Sequence, residues 1–196
     1  FKKFAQTVSY APHFISTVVL VGMLSMFFST TTGFVNTAIA ALGFNKIHFF
    51  GEPQYFRHLY VWSGVWQNMG WSAVIYIATL SGVDPQQHEA ARIDGATILQ
   101  RMWHIDLPAL APTIVILLIM QAGSIMSVGY EKVYLMQNST NLTTSEVIST
   151  YTYKIGLENA QFSYSAAIGL FNNVINFIML VVVNTLTKKL SGMALW

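Results

Sequence analysis

Residues 84–108 read Asp84-Pro85-Gln86-Gln87-His88-Glu89-Ala90-Ala91-Arg92-Ile93-Asp94-Gly95-Ala96-Thr97-Ile98-Leu99-Gln100-Arg101-Met102-Trp103-His104-Ile105-Asp106-Leu107-Pro108. The order of residue types predicts two helical pieces joined at a glycine. Asp84 can cap free backbone amides and Pro85 suits a first helical turn. Gln87, three residues after the aspartate, completes the pattern of a capping box. Asp94-Gly95 ends the first piece, because glycine enters backbone conformations that other residues resist. A second piece from Ala96 to Ile105 leads to Leu107-Pro108, where proline marks the first turn of another helix. At ~1.5 Å per residue, Gly95 to Pro108 spans about 20 Å, so the stretch projects a short helix and returns.

On either side of it the chain is apolar. A bilayer core of ~30 Å needs about 20 mostly apolar residues in helical form, and four stretches qualify: about 11–28, 59–83, 108–130 and 163–187. Every Lys, Arg, Asp and Glu lies outside these windows. Such segregation is expected of spans, since a charge at mid-bilayer costs ~2.5–3.5 kcal/mol even on the mildest scale. Between the spans, residues 29–58 carry an apolar patch, GFVNTAIAALGF, too short to cross and read as an interfacial or re-entrant helix. Residues 131–162 are rich in Asn, Ser and Thr and read as an exposed loop with some helix. With four spans both chain ends share a side with residues 84–107. That side holds Lys2, Lys3, Arg92, Arg101, Lys188 and Lys189, and the other holds Lys46, Arg57, Lys132 and Lys154. The split predicts that 84–107 faces the cytoplasm.

Composition agrees with a bilayer as solvent. Of 196 residues only 9% are charged, 54% are hydrophobic and the mean hydropathy is +0.49; average proteins carry about 25% charged residues. Too few ionisable side chains exist to coat a water-soluble globule, which excludes a soluble enzyme and a disordered chain. A net charge of +2 offers no footprint for a phosphate backbone, so no nucleic-acid partner is expected. With no cysteine, disulfides and thiolate metal sites are excluded. The sequence begins Phe1-Lys2-Lys3 without a signal segment, and the expectation is a piece of a longer membrane protein.

Glu89-Ala90-Ala91, three residues, Gly95, nine residues, Ile105, one residue, then Leu107-Pro108 resembles the EAA signature of binding-protein-dependent ABC importer permeases at every position. The string around it is similar to the YEAARIDGA of the carbohydrate-uptake branch, with His88 where tyrosine is usual. Residues 1–14 and 123–135 resemble permeases for oligosaccharides and polysaccharide fragments. The resemblance implies an all-α polytopic bundle of the type I importer fold. About four transmembrane helices would lie in this chain and about six in the full one, with residues 1–196 forming a permease domain incomplete at its N-terminus. It implies that 84–107 is a cytoplasmic coupling loop in which Glu89, Ala90, Ala91 and Gly95 seat in an ATPase groove. Ile105, Leu107 and Pro108 would pack the returning helix. The implied partners are a second permease subunit, two ATPase subunits that use ATP and Mg, an extracytoplasmic solute-binding protein, the lipid bilayer of a prokaryotic cell (inner) membrane, and a sugar. The chain itself would bind no cofactor or metal and be no enzyme.

The residues support that picture in part on their own. Ala90 and Ala91 allow close backbone approach, and Glu89 can pair with a basic groove. None of the seven lysines is followed by Ser or Thr, so no Walker loop is present. His88-Glu89 lacks the second histidine of a zinc-protease motif. Polar residues in the spans are candidates for a pathway that suits a neutral sugar: Gln121 and Ser124, Tyr130 and Glu131, and Asn172 and Asn176 one turn apart. Polar residues also glue helices together. Trp62 and Trp66 read as an interfacial aromatic belt. A permease for a non-sugar solute is the alternative. A secondary transporter is disfavoured, since the four spans lack Asp, Glu, Lys and Arg.

Overall fold

A computed structural model describes residues 2–195, apart from the side chain of Lys2. Phe1, the first residue of the 1–14 resemblance, lies outside the described residues, as does the side chain of Lys2, one of the cations in the charge split. Among the described residues the regular structure is helical. In chain order the helices are α1 (Lys2–Tyr10), α2 (Thr17–Phe27), α3 (Phe34–Ala41), α4 (Pro53–Ser81), α5 (Pro85–Ile93), α6 (Ile98–Ala122), α7 (Tyr130–Met136), α8 (Leu142–Ser145), α9 (Ile148–Tyr153) and α10 (Phe162–Ser191). The chain forms two compact units, residues 1–71 with 127–170 and residues 72–126 with 171–196.

Among the described residues two helices are long and apolar enough to cross a membrane, α6 and α10, or three if one bent pair is counted as a single span. Four were expected. The fourth expected span is present: 163–187 lies inside α10. The third is shifted. Its helix starts ten residues early, at Ile98, and stops at Ala122 rather than Tyr130. The first is broken. Pro12 ends the first segment in a short tight turn, Ser16 adopts an extended backbone, and its Oγ accepts Val19 N at 3.4 Å to start α2 afresh. The segments Lys3–Phe14 and Thr17–Phe27 meet at 99°. The eleven residues of α2 cover only about 16 Å, half a hydrocarbon core. The second expected span is helical throughout 59–81. However, Ser63, Gln67, Asn68 and Ser72 leave α4 outside the two helices that meet both criteria.

In the first unit Val21, Phe56, Leu59, Val133 and Met136 form a buried cluster, with Phe28, Phe49, Phe50, Tyr60 and Val147 packed on it. Two asparagines tie the surrounding chain. Asn36 donates through Nδ2 to Phe28 O, Ser29 O and Ile47 O at 3.1, 3.2 and 2.9 Å, and its Oδ1 accepts Ile47 N at 2.8 Å. Asn141 is fully buried; its Nδ2 donates to Phe50 O and Met136 O at 3.1 and 3.0 Å. Its Oδ1 accepts Asn138 N at 3.0 Å and the Ser145 hydroxyl at 2.9 Å. A buried amide left unpaired would be costly, and here every polar atom of both side chains is used. Residues 131–162 are therefore three short helices and a wide turn rather than an open loop, and α3 is the short helix expected within 29–58.

In the second unit, α6 and α10 show apolar exteriors: Ile114, Ile116, Leu118 and Met120 on one, Phe171, Val174, Phe177 and Ile178 on the other, all exposed. Lipid is as apolar as these side chains, so helices in a bilayer associate through close packing and polar ties. Both are present. Thr79 and Thr113 hydroxyls meet at 3.0 Å. A Cβ at Gly123 would lie 2.7 Å from Leu180 Cδ1. Buried Asn176 accepts Met126 N at 3.1 Å through Oδ1, which holds the chain where it turns off α6. That tie is why the third expected span ends early.

Candidate functional site

The stretch 84–107 lies within the second unit and is assembled from local signals. Asp84 is extended (φ −61°, ψ 120°), and its Oδ1 accepts Gln86 N at 2.9 Å, with Pro85 opening the helix. Gln87 does not complete the capping box expected there. The box forms thirteen residues later: Gln100 N donates to Thr97 Oγ1 at 3.4 Å and Thr97 N to Gln100 Oε1 at 2.8 Å. Between them Gly95 sits at φ +79°. Gly95 N donates to Arg92 O at 3.1 Å and Ala96 N to Ala91 O at 2.8 Å, the paired bonds of a Schellman ending that a left-handed glycine permits. The expected break at Asp94-Gly95 is thus a defined turn.

The second arm holds a finding the sequence reading missed. It does not end before the span; α6 runs without interruption from Ile98 to Ala122, through a wide π turn at Met102–Asp106. Leu107 N donates to Met102 O, five residues back. Pro108 has no N–H for the carbonyl four residues before it, and its ring crowds that position, so a widened turn accommodates it. Pro112 lies further along inside the helix. A 25-residue helix is about 37 Å long, so one rigid element joins the projecting loop to the apolar segment.

Exposure sorts the expected site residues. On α5, Glu89 and Ala90 are exposed, and Glu89 carries no ion pair among the described residues. His88 and Ala91, three apart, are the two half-buried residues of that helix. His88 Nε2 lies 3.2 Å from Asp106 Oδ1. Ala91 helps line a cleft of about 340 Å³ with Asp94, Gly95, Ala96, Gln100, Arg101, His104 and Ile105. Ile105 is half-buried at that cleft, whereas Leu107 and Pro108 are exposed. Ile93, Ile98 and Leu99, on either side of the Gly95 turn, are exposed by 86%, 68% and 76%, apolar positions that the sequence analysis does not single out.

The expected pathway residues belong partly to one unit and partly to the other. In the second unit Gln121 and Ser124 are exposed, with the Ser124 hydroxyl donating to Gln121 O at 3.2 Å just past the end of α6. Asn172 keeps a buried Oδ1 without a partner, while Asn176 is committed to the Met126 tie. In the first unit Tyr130 packs against Tyr153 and Tyr134, with ring centres 4.7 and 5.3 Å away, and Glu131 is exposed.

These features meet in a known class of membrane subunit. The chain belongs to the family described as the binding-protein-dependent transport system inner membrane component, whose model matches residues 1–192. It is 43% identical over 189 residues to the polygalacturonan/rhamnogalacturonan transport system permease protein YteP of Bacillus subtilis, covering 96% of this chain and 59% of that one. It is 28% identical to the arabinooligosaccharides transport system permease protein AraP of the same organism, covering 98% and 60%. Among solved structures it is similar to a chain of a bacterial alginate ABC transporter crystallised in complex with an alginate pentasaccharide-bound periplasmic protein. The TM-score is 0.94 at 35% identity, covering 98% of this chain and 67% of that one. The chain therefore spans 59% of the length of the first of these relatives. The type I importer permease fold expected from the sequence is the fold observed.

Proposed function

We propose that the chain is part of a permease subunit of an ATP-driven importer for oligosaccharides or polysaccharide fragments, and that residues 84–107 couple it to a separate ATPase. The observation that carries the reading is the shape of the loop. A short helix leaves Glu89 and Ala90 in water, a left-handed glycine turns the chain, and the return arm is the same rigid helix that enters the apolar segment. Ala90 lets a partner's backbone come close, Glu89 offers a charge to a basic groove, and Ile93, Ile98 and Leu99 offer apolar contact. A displacement imposed on this tip by closing ATPase subunits would pass along α6 without a hinge. ATP and Mg belong to those subunits; this chain supplies the lever.

Sugar as cargo is supported by the relatives, which handle galacturonan, arabinose and alginate polymers or oligomers by name. Amides and hydroxyls offer hydrogen bonds to sugar hydroxyls, so Gln121, Ser124, Asn172 and Asn176 in one unit and Tyr130 in the other, with the Glu131 carboxylate next to it in the chain, remain the pathway residues of this proposal. A second permease subunit would complete the pathway, an extracytoplasmic solute-binding protein would deliver the sugar, and the setting is a prokaryotic inner membrane with 84–107 on its cytoplasmic side. The test is Glu89→Ala in the assembled transporter. Losing one partner of an interfacial charge pair costs ~2–5 kcal/mol, so pull-down of the ATPase should weaken at least tenfold while the melting temperature of the permease stays unchanged. Undiminished pull-down and undiminished sugar-stimulated ATP hydrolysis would refute the coupling role.

A further inference from the structure

Helix α5 meets the second arm through a narrow face. Of its nine residues only His88 and Ala91 are half-buried. Ala91 brings little more than a methyl group to the cleft between the arms, so apolar packing cannot set the angle of the helix. His88 does reach across, with Nε2 3.2 Å from Asp106 Oδ1, and the two side chains are 30% and 26% exposed. Asp106 is the last residue of the π turn at Met102–Asp106. A π turn carries an extra residue and so rotates side chains at its far end relative to a regular helix. The same widened turn that accommodates Pro108 therefore also sets the direction of Asp106. His88 and Asp106 occupy positions that the EAA spacing leaves open, which makes them free to serve this loop.

Resting on the coupling reading above, we propose that His88 is a positioning residue acting through Asp106. The pair clamps α5 to the return arm and thereby sets the angle at which Glu89 and Ala90 are presented to the ATPase. The clamp need not touch the partner. It makes the two arms move as one body, so that force applied to α5 reaches α6 instead of being absorbed at the Gly95 turn. The imidazole N–H donates to the carboxylate, and a side-chain amide at position 88 could do the same; an aliphatic chain could not.

The experiment uses the assembled full-length transporter in membranes, with His88→Leu, Asp106→Leu, the double variant and His88→Gln. Each Leu variant should retain the ATPase in pull-down yet lower sugar-stimulated ATP hydrolysis about fivefold, equivalent to a pair coupling of about 1 kcal/mol. The double variant should be no worse than either single one, and His88→Gln should hold near wild-type activity. Spin labels at Ala90→Cys and Leu99→Cys should give a broader distance distribution in the Leu variants. Multiplied losses in the double variant, a Gln variant as weak as Leu, or an unchanged distance distribution would each overturn the clamp. The distance measurement needs no ATPase, so the clamp is judged even if Glu89→Ala proves the coupling reading wrong.

Discussion

Residues 84–107 and residues 130–150 are both connections rich in polar side chains, yet they are held in opposite ways. The first is built from bonds between residues two to five apart: Asp84 to Gln86, Gly95 to Arg92, Thr97 to Gln100. One long-range polar tie, His88 to Asp106, crosses it. The second is pinned to backbone about ninety residues distant, with Asn141 and Asn138 on Phe50 O and Thr144 on Pro53 O. A loop that keeps its side chains outside must find its shape from local chemistry. A segment that is a lining of its own unit can spend its side chains on the fold.

The comparison can be broken first at Asn141. Asn141→Leu leaves Met136 O, Asn138 N and Ser145 Oγ short of a partner, and Phe50 O with the Asn138 Nδ2 bond alone. Each such group costs ~1–3 kcal/mol, so a loss of about 3 kcal/mol or more is expected, read as a fall in melting temperature in detergent. A drop no larger than that of a surface substitution would mean that this segment is held locally too. Gly95→Val should behave in the reverse manner. Holding a β-branched residue at φ +79° costs about 1–2 kcal/mol, confined to the exposed turn. Melting should scarcely change while sugar-stimulated ATP hydrolysis falls about tenfold, a barrier change of about 1.4 kcal/mol. Equal damage to melting would show that the turn is part of the fold rather than of the docking surface.

The smallest effect concerns Lys132 on α7. Its Nζ donates to Tyr60 O at 3.0 Å and lies 4.9 Å from the centre of the Tyr60 ring. Burial lowers its pKa from 10.5 to about 8. Below about pH 8 the ammonium is charged in both folded and unfolded chains, and the burial penalty is fully present. Between about 8 and 10.5 the folded state sheds the proton that the unfolded state keeps, so stability rises with pH across that window. Melting temperatures followed over this range should climb more in the wild type than in Lys132→Met, the difference between the two curves reporting the lysine. Parallel curves would place Lys132 with exposed lysines such as Lys3 and Lys189.

Much of the projecting loop was legible because its signals act over a few residues. Asp84-Pro85, Asp94-Gly95 and the run 163–187 each carry their own instructions: a cap, a left-handed turn, and an apolar stretch long enough for a bilayer. The sequence points to Gln87 rather than Gln100 for the capping box because several carboxamides lie after possible caps and only geometry chooses between them. The bend after Pro12 was hidden inside an apolar run, where hydropathy cannot tell a straight span from a broken one. The early end of α6 depends on Asn176, fifty residues away from Met126, and no local pattern announces it.

By itself, then, the sequence determined the solvent, the helical class, the EAA spacing and the turn at Gly95, since hydropathy and backbone preference are properties of short stretches. Tertiary structure alone decided that α6 is continuous with the loop, that His88 meets Asp106, that Asn36 and Asn141 are structural knots, and that Asn176 holds a turn. These depend on which distant groups come within hydrogen-bonding distance, a matter of about 3 Å that no periodicity in the sequence encodes.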